Sequence, residues 1–112
     1  MTTMENDRLA QLASMLAEDP GDRFLRYAIA LEHKRRGDME RARTMLEELL
    51  TDDPKYIAGY YQLALILAEQ GRTSDAMAAC EAGALQCLVV GEMKARTELR
   101  ALLAALKGED DE

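Results

Sequence analysis

Two Asp-Pro pairs, Asp19-Pro20 and Asp53-Pro54, lie 34 residues apart, and the chain contains no other proline. Sliding the sequence against itself by that interval aligns Tyr27 with Tyr61, Ala30 with Ala64 and Leu31 with Leu65. The same shift sets Gly37 on Gly71, Ala42 on Ala76 and Glu47 on Glu81. A self-match at one fixed spacing implies stacked units that each bury a face against the next, instead of one irregular core. At 112 residues the chain has room for one domain of this kind.

Inside each unit the apolar spacing is helical. Phe24, Tyr27, Ala28 and Leu31 recur at three- and four-residue steps, as do Tyr60, Leu63, Ala64, Leu67 and Ala68. Composition supports helix: Ala and Leu dominate the apolar content, and aromatic residues make up only 4%. Gly37 and Gly71 follow helix-favouring triplets and read as C-caps, since glycine accepts the left-handed conformation a helix end demands. Asp38 and Thr73 are placed to cap the helices that follow. Those second helices carry Ala42, Met45, Leu46, Leu49 and Ala76, Met77, Cys80, Ala84.

This 34-residue helix–turn–helix unit resembles the tetratricopeptide repeat (TPR). The resemblance rests on Ala30, Gly37, Ala42 and Pro54 in the first unit and on Tyr60, Leu63, Ala64, Gly71 and Ala76 in the second. It predicts an all-α fold, a short right-handed α-solenoid of about six helices, occupying residues 1–107. Within it we expect an N-terminal half-repeat at 5–18, repeat 1 at 23–56, repeat 2 at 57–90 and a capping helix at 92–107. Leu12 stands 34 residues before Leu46, so the first helix resembles a second helix whose first helix is missing, and Arg8 takes the place of Ala42 and Ala76. Strict spacing sets Leu88 where a proline is expected. A slightly longer connection through Leu88-Val89-Val90-Gly91 then brings Leu99, Leu103 and Leu106 onto one stripe. The acidic run 108–112 predicts a disordered tail.

The resemblance also implies a function. In TPR domains the first helices line a concave groove that receives a peptide or helix. By position, that groove presents Phe24, Tyr27, Leu31, Lys34 and Arg35, then Ala58, Tyr61, Leu65 and Glu69. Where the family's clamp for a terminal carboxylate carries Lys and Asn, this chain has Tyr27, Leu31 and Gln62. The surface suits an amphipathic helix or hydrophobic peptide. The expected role is a non-enzymatic interaction module, an adaptor or scaffold whose partner is another protein or peptide. Two competing expectations stand beside it. A terminal helix folds back over the stripe, or the apolar face, at Tyr27, Leu31, Tyr61 and Leu65 or at Leu99, Leu102, Leu103 and Leu106, is buried in a homodimer.

Other chemistry finds little support in the residues. The sequence has no phosphate-binding glycine loop, no H-E-x-x-H and no G-x-S-x-G, so neither catalysis nor a cofactor is expected. His33 is the only histidine and falls where Leu67 packs in the next unit, which predicts a structural role and no metal. Cys80 and Cys87 are two helical turns apart, too far for a disulfide, and read as reduced core residues of a cytoplasmic protein. The segment Arg23–Arg43 holds seven basic and three acidic residues in a chain of net charge -7. Without aromatic interleaving, these charges read as a solvated surface and not as a nucleic-acid site. The uncharged run Ile57–Ala68, 12 residues, is too short to span a membrane.

Overall fold

Six helices account for almost every described residue: α1 (Met4–Glu18), α2 (Arg23–Arg35), α3 (Met39–Asp52), α4 (Ala58–Glu69), α5 (Thr73–Val90) and α6 (Met93–Asp111). They come from a computed structural model that describes residues 4–111, with side chains described from Arg8 to Gly108. Residues 1–3 of the expected domain and Glu112 of the expected tail lie outside the described residues.

The helix ends follow from local chemistry. Gly37 and Gly71 adopt φ of +85° and +76°, and the amide after each donates back to the helix: Asp38 N–H to His33 O at 2.9 Å, Arg72 N–H to Leu67 O at 2.8 Å. This is the Schellman closure that satisfies orphan carbonyls. Asp38 caps α3 by accepting from Arg41 N–H at 3.2 Å, and Asp22 caps α2 by accepting from Leu25 N–H at 2.9 Å. Thr73 does not cap α5. The cap position is Arg72, which makes no side-chain cap bond, and Thr73 is already the first helical residue.

Two expectations about the C-terminal half need correction. No loop spans Leu88–Val90: α5 continues through it for 18 residues, against 14 in α3, and ends at Gly91 with φ +83°. The reason is the missing proline at position 88, since helix propagation adds one bond per residue until something stops it. Likewise α6 runs to Asp111, so the helix takes in most of the run expected to be a disordered tail. Gly108 is not in the left-handed region and supplies no stop.

Packing repeats with the sequence. Ala30, Ala42, Ala64 and Ala76 are all fully buried, where first and second helices of a unit come closest. Leu46, Ile66, Leu67, Cys80 and Leu99 fill the space between units. Leu99 and Leu106 of α6 are buried and Leu102 and Leu103 half-buried against the same core, so that stripe faces inward and is not available to a homodimer. Cys80 and Cys87 are buried and unpaired. The radius of gyration, 14.9 Å, exceeds the about 13 Å of a compact domain of this length. The molecule is a short stack.

Candidate functional site

The stack has two unlike faces. Among the described residues α2 touches α4 and α4 touches α6, whereas α1, α3 and α5 do not touch one another. First helices are therefore closer together than second helices, which curves the stack with α2, α4 and α6 on the inside. α1 touches only α2, and α6 touches only α5 and α4. Neither terminal helix is folded across the α2–α4 step.

On that side lies an apolar cleft of about 520 Å³ lined by Arg8, Phe24, Tyr27, Ala28, Leu31, Glu32 and Arg35. Its position is explained by the repeat. Thirty-four residues on, Ala28 and Glu32 correspond to Gln62 and Ile66 of α4. Gln62 accepts from Lys34 Nζ of α2 at 2.8 Å, and Ile66 is fully buried. So α2 covers this face of α4, whereas among the described residues no first helix covers the same face of α2. Phe24 is left 65% exposed.

Of the groove residues expected from sequence, Phe24, Tyr27, Leu31 and Arg35 share this cleft. Lys34 is half-buried and turned toward Gln62. Ala58 and Glu69 are exposed at the two ends of α4, and Tyr61 and Leu65 are half-buried between them, outside the cleft. Tyr27 stacks obliquely on Tyr56, ring centroids 5.4 Å apart, and burial pushes its phenol pKa upward. Its hydroxyl therefore stays protonated and remains a donor as well as an acceptor.

Sequence reasoning did not find Arg8, Ala28 and Glu32. Glu32 is only 3% exposed, held by Arg35 at 3.1 and 2.6 Å and by Arg8 of α1 at 3.5 Å. The hydrogen bond from Arg35 keeps its carboxyl below the usual range. The signal was available: Glu32 stands in the register of Ile66, a position that packs inward. Two arginines share one buried carboxylate.

The remaining basic residues of the first repeat are tied down. Arg23 pairs with Asp53 and Arg26 with Asp52, both at 2.9 Å, and Arg43 pairs with Glu40 and Glu47. Arg41 lies 3.8 Å from Asp38. The pairs of Arg23 and Arg26 tie α2 to the end of α3, and those of Arg41 and Arg43 lie within α3 and its cap. His33 is 9% exposed, burial lowers its pKa, and it borders a hollow on the outer side lined by Leu9, Leu16, Pro20, Ile29 and Met45. Among the described residues no group of three or more His, Cys, Asp or Glu could hold a metal ion. None of their helices is long and apolar enough to cross a membrane.

Comparison with known proteins agrees with this geometry. Residues 34–86 match a family model described as tetratricopeptide repeat. A TPR repeat-containing protein of Pseudomonas aeruginosa is 30% identical over 95 residues, covering 85% of this chain and 90% of that one. The solution structure of a tetratricopeptide repeat domain protein from Salinibacter ruber is 34% identical with a TM-score of 0.77. That match covers 80% of this chain and 91% of its counterpart. The Yersinia enterocolitica type III secretion translocator chaperone SycD superposes with a TM-score of 0.85 over 96% of this chain and 75% of its own. At 15% identity that likeness is one of fold.

Proposed function

The chain belongs to the tetratricopeptide repeat family, and on that premise we propose that it is a non-enzymatic adaptor or scaffold. Its inner face receives an amphipathic helix or apolar peptide of another protein. The observation that carries this reading is the face of α2 that no described first helix covers. The equivalent face of α4 is covered by a helix, and its own copy on α2 leaves Phe24, Tyr27 and Leu31 lining a cleft. A ligand that completes the stack needs an apolar stripe for these side chains. Tyr61 and Leu65 continue the apolar path along α4. The translocator chaperone of similar fold is a precedent for a short stack whose work is to hold another polypeptide. Reduced, buried cysteines favour a cytoplasmic setting.

The test is capture of partners from native lysate by the wild type and by Tyr61→Glu/Leu65→Glu. Both side chains are half-buried, so circular dichroism accompanies the binding assay. Retained helix with loss of the captured protein supports the inner face as the site. Undiminished capture by the folded double variant refutes it.

A further inference from the structure

The outer face of α5 breaks the pattern set by its own repeat. In α3 the outward stripe is Thr44, Glu48, Thr51 and, just past the helix, Lys55, all polar and exposed. Thirty-four residues on, the same register reads Ala78, Ala82, Leu85 and Val89, all exposed, with Leu85 at 60% and Val89 at 61%. The extra turn of α5 adds Leu88 and Val90, and Met93 follows at 49%. One scaffold position is thus solvated in the first repeat and apolar in the second. Among the described residues nothing covers it.

From this stripe we infer that α5 is a self-association surface, on which a second copy of the chain packs its own α5 antiparallel about a two-fold axis. The stripe is complementary to itself. Rotation about a point between Gly83 and Ala84 sets Ala78 opposite Val89 of the second copy and Ala82 opposite its Leu85, a small residue facing a large one each time. Alanine at both small positions lets the helix backbones come close. The electrostatics agree. Residues 82–91 carry no charge, so two copies of net charge -7 meet there without opposing like charges. At the ends, the same register sets Asp75 opposite Glu92 of the other copy, a like-charge contact that the Arg72–Asp75 ion pair offsets. Glu81, next to the stripe, meets Gln86, whose amide can donate to it.

Size sets the strength. An 18-residue helix is about 27 Å long and about 10 Å wide. The footprint is therefore about 300 Å² per copy, well under the roughly 800 Å² per partner of a stable complex. The dimer is weak, forming at tens to hundreds of micromolar, on the order expected for a small interface. It leaves the inner face free, so it joins two adaptors back to back. The inference stands apart from the binding role of the inner face.

Sedimentation velocity from about 10 μM to about 1 mM reads the equilibrium directly. The wild type is expected to move from 12.5 kDa toward twice that mass as concentration rises. Leu85→Glu/Val89→Glu is expected to stay monomeric with unchanged helical content, while Tyr61→Glu/Leu65→Glu still dimerises. A wild type that remains monomeric throughout overturns the inference and leaves the stripe to a different protein. So does a dimer that survives Leu85→Glu/Val89→Glu. Register is tested without relying on those charges: Ala82→Cys mixed with Leu85→Cys should crosslink to each other faster than either to itself. The native Cys80 and Cys87, both 0% exposed, do not compete. Preferred self-crosslinking of either variant overturns the antiparallel pairing.

Discussion

Replacing Gly83 with alanine tests how closely the helices of the second repeat approach one another. Gly83 lies inside α5, where an alanine would ordinarily stabilise a helix by about 0.5–1 kcal/mol. Here the added Cβ would lie 2.6 Å from Tyr60 Cβ, 2.8 Å from Tyr60 Cγ and 2.9 Å from Leu99 Cδ1. Carbon atoms pack comfortably at about 3.5–4.0 Å, so α4 must retreat by about 1 Å, whereas the Leu99 methyl can turn aside. Tyr60 cannot give by rotating, because its Cβ is fixed to the α4 backbone and its hydroxyl is anchored on Pro54 O at 2.5 Å. Overpacking of this kind costs about 1–3 kcal/mol. The loss exceeds the propensity gain, and we expect Gly83→Ala to be less stable by about 1–2 kcal/mol. In a domain of this size that lowers the melting temperature by about 5–15 °C. Thermal and urea unfolding followed by circular dichroism measure it. Gly59→Ala is the control: its Cβ meets Leu50 Cδ2 at 3.0 Å, the free end of a side chain that can turn away, so the change should be close to neutral. A Gly83→Ala protein that melts above the wild type would refute the three-helix contact.

Other outcomes follow from the same reasoning. Gly37→Ala meets no atom within 4 Å, so its cost is the left-handed backbone alone, about 1 kcal/mol, read by urea unfolding. The His33 pKa is depressed by burial, so its contribution to stability is present above the unfolded value near 6.5 and is lost as pH falls through the folded pKa. His33→Leu, the residue of the second repeat, should flatten the decline in melting temperature over that acid range. Burial raises the Cys80 thiol to about 11, so stability should fall as pH rises from about 9 through 11, and native Cys80 should resist thiol reagents until unfolding exposes it. Glu32→Ile replaces a buried, arginine-bound carboxylate with its second-repeat counterpart. It leaves Arg8 and Arg35 at the surface, so the fold should persist with weaker dependence on acid pH.

The repeat made much of this architecture legible. Its period sets Ala30, Ala42, Ala64 and Ala76 at helix crossings, and its glycines stop α2 and α4. Where the period fails, so did the expectation. Position 88 is Leu in place of Pro, and helix propagation carried α5 on to Gly91. Arg72 in place of Thr73 as the α5 cap is a one-residue shift that hydroxyl chemistry alone does not reveal. Glu32 was not among the expected groove residues. Its burial depends on Arg8, a residue 24 positions earlier on another helix, and pairings between helices are not written in local pattern. The close approach at Gly83 is of the same kind: no periodicity distinguishes it from a helix-weakening glycine until Tyr60 and Leu99 are in place. Four of the groove residues, Phe24, Tyr27, Leu31 and Arg35, fall together because one helix face carries them. The cleft lies on a face of α2 that, among the described residues, no first helix covers.

The claim that a helix completes the stack on the inner face is tested most directly by amide chemical-shift mapping. The probe is an amphipathic peptide of about 15 residues, long enough to form a marginal helix, with a leucine stripe flanked by glutamates. Saturable shifts at Phe24, Tyr27 and Leu31, extending to Tyr61 and Leu65 and abolished by Tyr61→Glu/Leu65→Glu, are the predicted result. Shifts confined to the outer face of α5, or none up to about 1 mM peptide, would contradict it.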